Sequence, residues 1–260
     1  MDHVDEPVVK TKPGAPPLFF EAEAAGLQWL AAAEASGGVR IARVLDVAPG
    51  MIALERIGGG RPDAAAAAAF GRALAATHDA GAAAFGAPPD GWSGPLFIGR
   101  LPQPAAREES WGVFYARDRV LPFLDPAVTA GNLSAGDAAL VREACALIAQ
   151  GAFDDEETPA RLHGDLWNGN VLWSPEGVVL IDPAAHGGHR ETDLAMLQLF
   201  GCRFLDVVLD AYDAAHPLRP GWRMRLPVHQ LHPLAVHAVG HGPSYGRALV
   251  DAARQVLALG

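Results

Sequence analysis

The chain has 260 residues, half of them hydrophobic and 19% charged, the make-up of a globular protein with a sizeable core in one large or two modest domains. A formal net charge of −10 argues against a nucleic-acid partner, because a phosphate backbone calls for a dense Lys/Arg surface. No run of about 18 apolar residues is present, so no membrane span is expected.

The opening MDHVDEPVVK has no basic region followed by an apolar run, and Cys145 and Cys202 have no metal-ligand spacing; a cytoplasmic protein with reduced thiols is the expectation. Val8–Thr11 reads as a short β-branched strand carrying Lys10, and Pro13–Pro17 breaks the chain. Phe20 to Ala35 has helical periodicity, and Gly37–Gly38 ends it. Val39–Val47 and Met51–Ile57 read as two strands joined by a turn at Pro49–Gly50, with Gly58–Gly60 as a flexible link. Asp63 is placed to cap an Ala-rich helix running to about His78. Pro88–Pro104 reads as loop, Glu108–Leu124 as a helix, and Ser134–Gln150 as a helix capped by Ser134. Val171–Trp173 and Val178–Ile181 form a predicted hairpin. Helices follow over Thr192–Phe200, Phe204–Ala215, Leu226–Ala238 and Tyr245–Leu259. The outline is α+β: a small β-rich part over residues 1–57 and a larger helical part over 58–260.

The densest chemistry lies in His163-Gly164-Asp165-Leu166-Trp167-Asn168-Gly169-Asn170, then Asp182 at the end of an apolar strand. Phosphoryl transfer needs a carboxylate to orient and deprotonate the attacking hydroxyl, oxygen ligands for Mg²⁺, and a cation on the phosphates. The spacing H-x-D-x-x-x-x-N is that of a kinase catalytic loop, met here by His163, Asp165 and Asn170. A hairpin between Asn170 and Asp182 would bring both to one metal, and both are hard oxygen donors suited to Mg²⁺. Taken singly these residues are unremarkable: an Asp at a strand end is usually a cap or a turn residue. Their order and the intervening hairpin carry the inference. Lys10 on a strand and Glu23 on the next helix fit a phosphate-binding Lys and its ion-pair partner. Leu54, Glu55 and Arg56, before the glycine link, fit a hinge whose backbone meets adenine; the plain alternative is a solvated strand end.

HGDLWNGN, followed by Ile181–Gly201 (IDPAAHGGHRETDLAMLQLFG), closely resembles the fructosamine-kinase, or ketosamine-3-kinase, family. VVKTK, FFEAEAAGLQWL, FIGRLPQ, SWGVFYARDRVLP, His237 and GPSYG carry the resemblance over most of the chain. It implies a two-lobed, protein-kinase-like fold of the aminoglycoside-phosphotransferase branch. It further implies transfer of phosphate from ATP, with Mg²⁺, to the sugar C3 hydroxyl of a ketosamine, free or protein-bound, as a step in deglycation. By the match Asp165 is the base, Asn170 and Asp182 hold metal, Lys10 holds phosphate, and Leu54–Arg56 hold adenine. Trp167, Arg190 and Glu191 become candidates for the substrate site, and Asp193 a brace for the catalytic loop.

The resemblance has two departures. Only nine residues precede Lys10, where the family carries about thirty more, including the strands over the phosphates; the expectation is either a start codon further upstream or a truncated lobe with weak ATP binding. His186 and Gly187 stand where the family commonly has aromatic residues, which bears on substrate identity. The alternatives are a kinase for another small molecule, such as an aminoglycoside, and a truncated pseudokinase or binding module. A zinc site among His229, His232, His237 and His241 is disfavoured: no carboxylate or Cys completes a set, and Pro233 is expected to interrupt the helix.

Overall fold

The computed structural model describes residues 6–260. Strand β1 (Val8–Thr11) leads to helix α1 (Phe19–Ala31), which tightens into a 3-10 turn at Ala32–Ser36. Phe20, Leu27 and Leu30 of α1 are buried. The strand expected over Val39–Val47 is instead two, β2 (Arg40–Ile41) and β3 (Val44–Ala48). The break follows from a change of partner. Ile41 of β2 lies parallel and opposite Leu180 of the helical part, whereas β3 turns back into antiparallel β4 (Met51–Leu54). β4 is the central strand of its sheet, between β1 and β3, and sets Lys10 opposite Ile52. The glycine link is less free than expected. The Gly60 N–H donates to the Trp173 carbonyl at 2.6 Å, and a Cβ at Gly60 would lie 2.3 Å from the Ser174 carbonyl carbon.

Helix α2 (Ala64–Asp79) is capped as predicted, the Asp63 carboxylate accepting the Ala66 N–H at 2.8 Å. The stretch expected as loop over residues 88–104 contains a small hairpin, β5 (Leu96–Ile98) and β6 (Leu101–Gln103), with Gly99 at its turn. The helix expected over Glu108–Leu124 is irregular. It runs as α3 (Trp111–Phe114), a π-helical turn (Tyr115–Val120), a 3-10 turn (Leu121–Phe123) and α4 (Leu124–Thr129). Pro122 has no N–H to give the Asp118 carbonyl, and the Arg119 guanidinium supplies that hydrogen bond at 3.0 Å. Helix α5 (Ala135–Ala149) has Ser134 as its cap, as predicted.

Strands β7 (Ala160–Leu162), β8 (Val171–Ser174), β9 (Gly177–Leu180) and β10 (His186–Gly188) come next. β8 and β9 form the predicted hairpin, and β9 also pairs with β2. The antiparallel pair β7–β10 has three residues per strand, and the His-Gly-Gly of β10 carries no β-propensity to announce it. Helices α6 (Glu191–Phe200), α7 (Leu205–Ala215), α8 (Trp222–Gly240) and α9 (Pro243–Leu259) complete the chain.

Helix α8 begins before the expected Leu226 and runs through Pro227 and Pro233. Pro233 fails to interrupt it because the interior repairs the ladder. The His229 carbonyl, which an amide at position 233 would have served, accepts the Tyr115 hydroxyl at 2.7 Å. The same phenol oxygen accepts the His232 N–H at 3.1 Å.

One apolar cluster joins α5, α8 and α9 to the irregular helix around Tyr115. A second runs from Phe20, Leu27 and Ile52 through Phe70 and Leu180 to Leu209. The small β-rich part shares that second core with α2 and α7, so residue 57 marks a change of secondary structure and not a gap in packing. Among the described residues no helix is long and apolar enough to cross a membrane.

Candidate active site

The loop after β7 is fixed from beneath. Asp193, in the first turn of α6, accepts the His163 N–H at 2.8 Å and the Gly164 N–H at 3.0 Å. Burial works against its charge, but the His78 ring at 3.3 Å, itself held by the Tyr212 hydroxyl, keeps the Asp193 carboxyl below its usual range. Asp193 therefore braces the loop, as its place in the sequence implied. Gly164 has a φ of 79°, and a Cβ there would lie 2.3 Å from the Ala184 carbonyl oxygen, so only glycine fits. His163 donates from Nε2 to the Ile181 carbonyl at 2.9 Å, which leaves Nδ1 to accept the Asp165 N–H at 3.2 Å.

The β8–β9 hairpin returns Asp182 to Asn170, and the Ile181 N–H donates to the Asn170 carbonyl at 3.2 Å. The Asn170 side-chain NH₂ donates to the backbone oxygen of Asp165 at 2.7 Å and to its carboxylate at 3.3 Å. No hydrogen bond among the described residues uses the Asn170 Oδ1. Asp182 has a φ of 55°, a left-handed conformation that only a few per cent of non-glycine residues adopt. Its carboxylate meets the Lys10 ammonium at 2.5 Å, and the same ammonium meets Glu23 at 2.5 Å. Burial would lower the Lys10 pKa, but the two carboxylates outweigh it and the net shift is upward, so Lys10 stays charged. Asp165 is pushed up to about 7, first by burial, with the Asp182 charge adding to it and the Asn170 N–H opposing it. A free amide oxygen beside a carboxylate is a donor set for a hard divalent cation, and unsuited to zinc.

Two cavities meet at this loop. One, of about 320 Å³, is lined by Lys10, Lys12, Phe19, Glu23, Asp165 and Asp182 among others. The second, of about 210 Å³, includes Gly99, Asp165, Trp167, Met196, His232 and His237 in its wall. Asp165 and Gly99 belong to both. The structure thus gathers Lys10, Glu23, Asp165, Asn170 and Asp182 into one group, and Trp167, 42% exposed, stands in the wall of the smaller cavity.

The other expected site residues line neither cavity. Leu54 and Glu55 are buried at the end of β4, outside both cavities. The Glu55 N–H is already given to the Arg43 carbonyl at 2.9 Å, and its carboxylate receives Arg40 and Arg43. Arg56 is exposed and donates to the Glu6 carbonyl. Arg190 and Glu191, expected as candidates for substrate contact, line neither cavity. Arg190 is buried, its two terminal nitrogens bonded to Glu157 and to the carbonyls of His216 and Pro217, while its Nε has no partner among the described residues. Glu191 is buried against Arg225 and His229. Their motif serves the architecture under α6. His232, Met196 and the Gly99 turn were missed, because a histidine inside a helix and a three-residue hairpin give no signal that they face a cavity.

A carboxylate does stand beside His229, contrary to expectation: the ligand atoms of His189, Glu191 and His229 lie within 4.8 Å of one another. Each is already paired. His189 reaches Asp155 at 3.3 Å and accepts the Glu191 N–H, and His229 lies against Thr192 and Glu191. Burial opposes the Glu191 charge, but His229 and Arg225 hold its carboxyl down at about 2, while burial drives His229 down to about 4. Both shifts are downward, so both contribute stability above their unfolded values that is lost as pH falls through the folded ones. Unfolding by urea should therefore become easier from about pH 6.5 downward, most steeply below about pH 4.5. Glu191→Gln should be weaker at pH 7 and lose less between pH 5 and pH 2; parallel pH profiles for the two proteins would refute this linkage.

The sequence profile of the Fructosamine kinase family matches residues 2–259. A protein of Enterococcus faecium named a probable ketoamine kinase is 35% identical over 243 residues, which span 92% of this chain and 83% of that protein. Mouse ketosamine-3-kinase is 36% identical over 151 residues, 57% of this chain and 46% of that one. The crystal structure of a candidate fructosamine-3-kinase from Thermobifida fusca superposes with a TM-score of 0.88 at 47% identity, covering 96% of this chain and 85% of that one. A thermostable mutant of the aminoglycoside phosphotransferase APH(4)-Ia, in a ternary complex with ADP and hygromycin B, shares the fold alone, with a TM-score of 0.59 at 15% identity, covering 92% of this chain and 83% of that one. With the catalytic loop, hairpin and Lys–Glu pair assembled on a two-part kinase-like frame, the chain belongs to the fructosamine kinase family.

Proposed function

We propose that this protein transfers the γ-phosphate of ATP to the sugar C3 hydroxyl of a ketosamine, the first step of a deglycation. The observation that carries the reading is the position of Asp165 in the wall common to two cavities. One cavity holds the Lys10 ammonium and the Asp182 carboxylate; the other has Trp167, Met196 and Val236 in its wall beside histidines, a mix of apolar surface and polar groups that suits a sugar. A base between donor and acceptor is what in-line transfer needs.

In this reading the acceptor hydroxyl lies against Asp165, whose carboxylate takes its proton. Burial raises the Asp165 pKa to about 7 and makes it a better base near neutral pH. Lys10, steadied by Glu23, holds phosphate oxygens. Mg²⁺, when bound, neutralises charge on the transferring phosphate, and the Asn170 Oδ1 and the Asp182 carboxylate are the groups that would hold it. The adenine edge is assigned to the backbone at Leu54–Arg56; since the Glu55 N–H is engaged, Arg56 is left to supply the donor.

The test is ATP turnover with Mg²⁺ against lysine ketosamines of fructose, ribulose and erythrulose type, with kanamycin and choline as alternative acceptors. Phosphorylation of at least one ketosamine in clear preference to kanamycin and choline is expected. Turnover confined to kanamycin would transfer the assignment to an antibiotic-type kinase, and no turnover with any acceptor would favour a binding module.

A further inference from the structure

The smaller cavity contains a polar group that the proposed chemistry does not use. His232 lines it from α8, beside the wall that carries Asp165 and Trp167. The ring is 4% exposed, and its Nε2 is buried without a hydrogen-bond partner among the described residues. A buried polar atom left unpaired costs about 1–3 kcal/mol, so a packing role alone is a poor account of a histidine here.

The ring's protonation is fixed by its other nitrogen. Nδ1 lies 2.6 Å from the Arg119 carbonyl, which can only accept, so Nδ1 carries the hydrogen. Burial, and then the nearby Arg119 charge, drive the ring down to about 3, well into the neutral form at working pH. Nε2 is therefore a bare lone pair and accepts hydrogen bonds without donating them. The surroundings hold it in place: Phe123 packs against the ring with centroids 5.5 Å apart, and Tyr115 accepts the His232 backbone N–H. The π-helical turn at Tyr115–Val120 thus supplies both the carbonyl that sets the tautomer and the phenol that seats the backbone.

We infer that His232 is a specificity-determining residue of the acceptor cavity, its Nε2 accepting a hydrogen bond from a sugar hydroxyl other than the one phosphorylated. The inference rests on the ketosamine reading of the same cavity. An acceptor site of this kind discriminates strongly, because an analogue lacking the hydroxyl leaves the lone pair unpaired in the closed complex. A purely apolar wall would discriminate weakly.

The experiment compares the wild type, His232→Phe and His232→Gln on a ketosamine and on its deoxy analogues, each lacking one hydroxyl other than that at C3. Gln keeps an oxygen near the position of Nε2; Phe keeps ring volume and removes the acceptor. His232→Phe should lower kcat/KM for the parent sugar by about tenfold, mainly through KM, the size of one neutral hydrogen bond. It should lower kcat/KM little for one deoxy analogue, the one missing the hydroxyl that His232 reads. His232→Gln should recover part of the loss, and circular dichroism with thermal unfolding checks that each variant folds. Equal kcat/KM for wild type and Phe variant on the parent, or an equal loss on every analogue, would overturn the inference. Should Phe not fold, Gln alone decides: a changed ranking of the analogues supports it and an unchanged ranking overturns it. Wild-type protein inert on every ketosamine would instead remove the parent reading, and this inference with it.

Discussion

Asp182→Ala is expected to abolish phosphoryl transfer at any ATP concentration. The Asp182 carboxylate lies 2.5 Å from the Lys10 ammonium, and the hairpin delivers it beside Asn170. Its removal takes away one proposed metal ligand and one of the two anions that hold Lys10. What is lost is stabilisation of charge that develops on the transferring phosphate, and saturation with ATP cannot restore it. The turn itself should survive, although alanine at a φ near 55° is strained by about 1–2 kcal/mol relative to a residue at ease there. Titration of ATP to saturation, with thermal unfolding as a folding control, separates the outcomes. A normal maximal rate reached at high ATP would show that Asp182 serves binding alone.

Asp165→Asn is expected to leave ATP binding in place and cut kcat by about 10²-fold or more. Asparagine preserves the shape and leaves the Asp165 backbone carbonyl to accept from Asn170, but its amide cannot take a proton. The loop should hold its form, since Asp193 grips the His163 and Gly164 amides and makes no bond to the Asp165 side chain. Calorimetry with an ATP analogue and steady-state kinetics on the same preparation decide it. Turnover within a few-fold of wild type would remove Asp165 from the role of base.

Much of this site was legible in the sequence because its geometry is local. Asp165 and Asn170 share one loop, and Asn170 and Asp182 are joined by a single hairpin whose β-branched strands announce themselves. Lys10 and Glu23 lie on adjacent elements, so the pairing follows from their order. Arg190 and Glu191 stand apart from both cavities for a physical reason. Charged residues in a motif read as site residues, yet both are buried and held by ion pairs or carbonyls, and burial is set by helices α7 and α8, distant in sequence. The split of β2 from β3 was hidden because partner choice is non-local: nothing in Val39–Val47 says that Ile41 will pair with Leu180. The hairpin at Gly99 and the pair β7–β10 are too short to show a period.

Tyr115 and Pro233 also bear on how this protein can change over evolutionary time. The proline deprives the His229 carbonyl of its partner, and the phenol replaces it. A lineage that acquired an amide at position 233 would give the His229 carbonyl a second donor, so that later loss of the hydroxyl at 115 would leave only the His232 N–H to be served anew. A lineage that lost the hydroxyl first would strand a buried carbonyl, at about 1–3 kcal/mol, before any relief arrived. The two positions are thus epistatic, with one permitted order of substitution and one obstructed. His232, one residue before the proline and bonded to the same phenol, is drawn into that constraint, so the wall of the smaller cavity depends on a helix repair behind it.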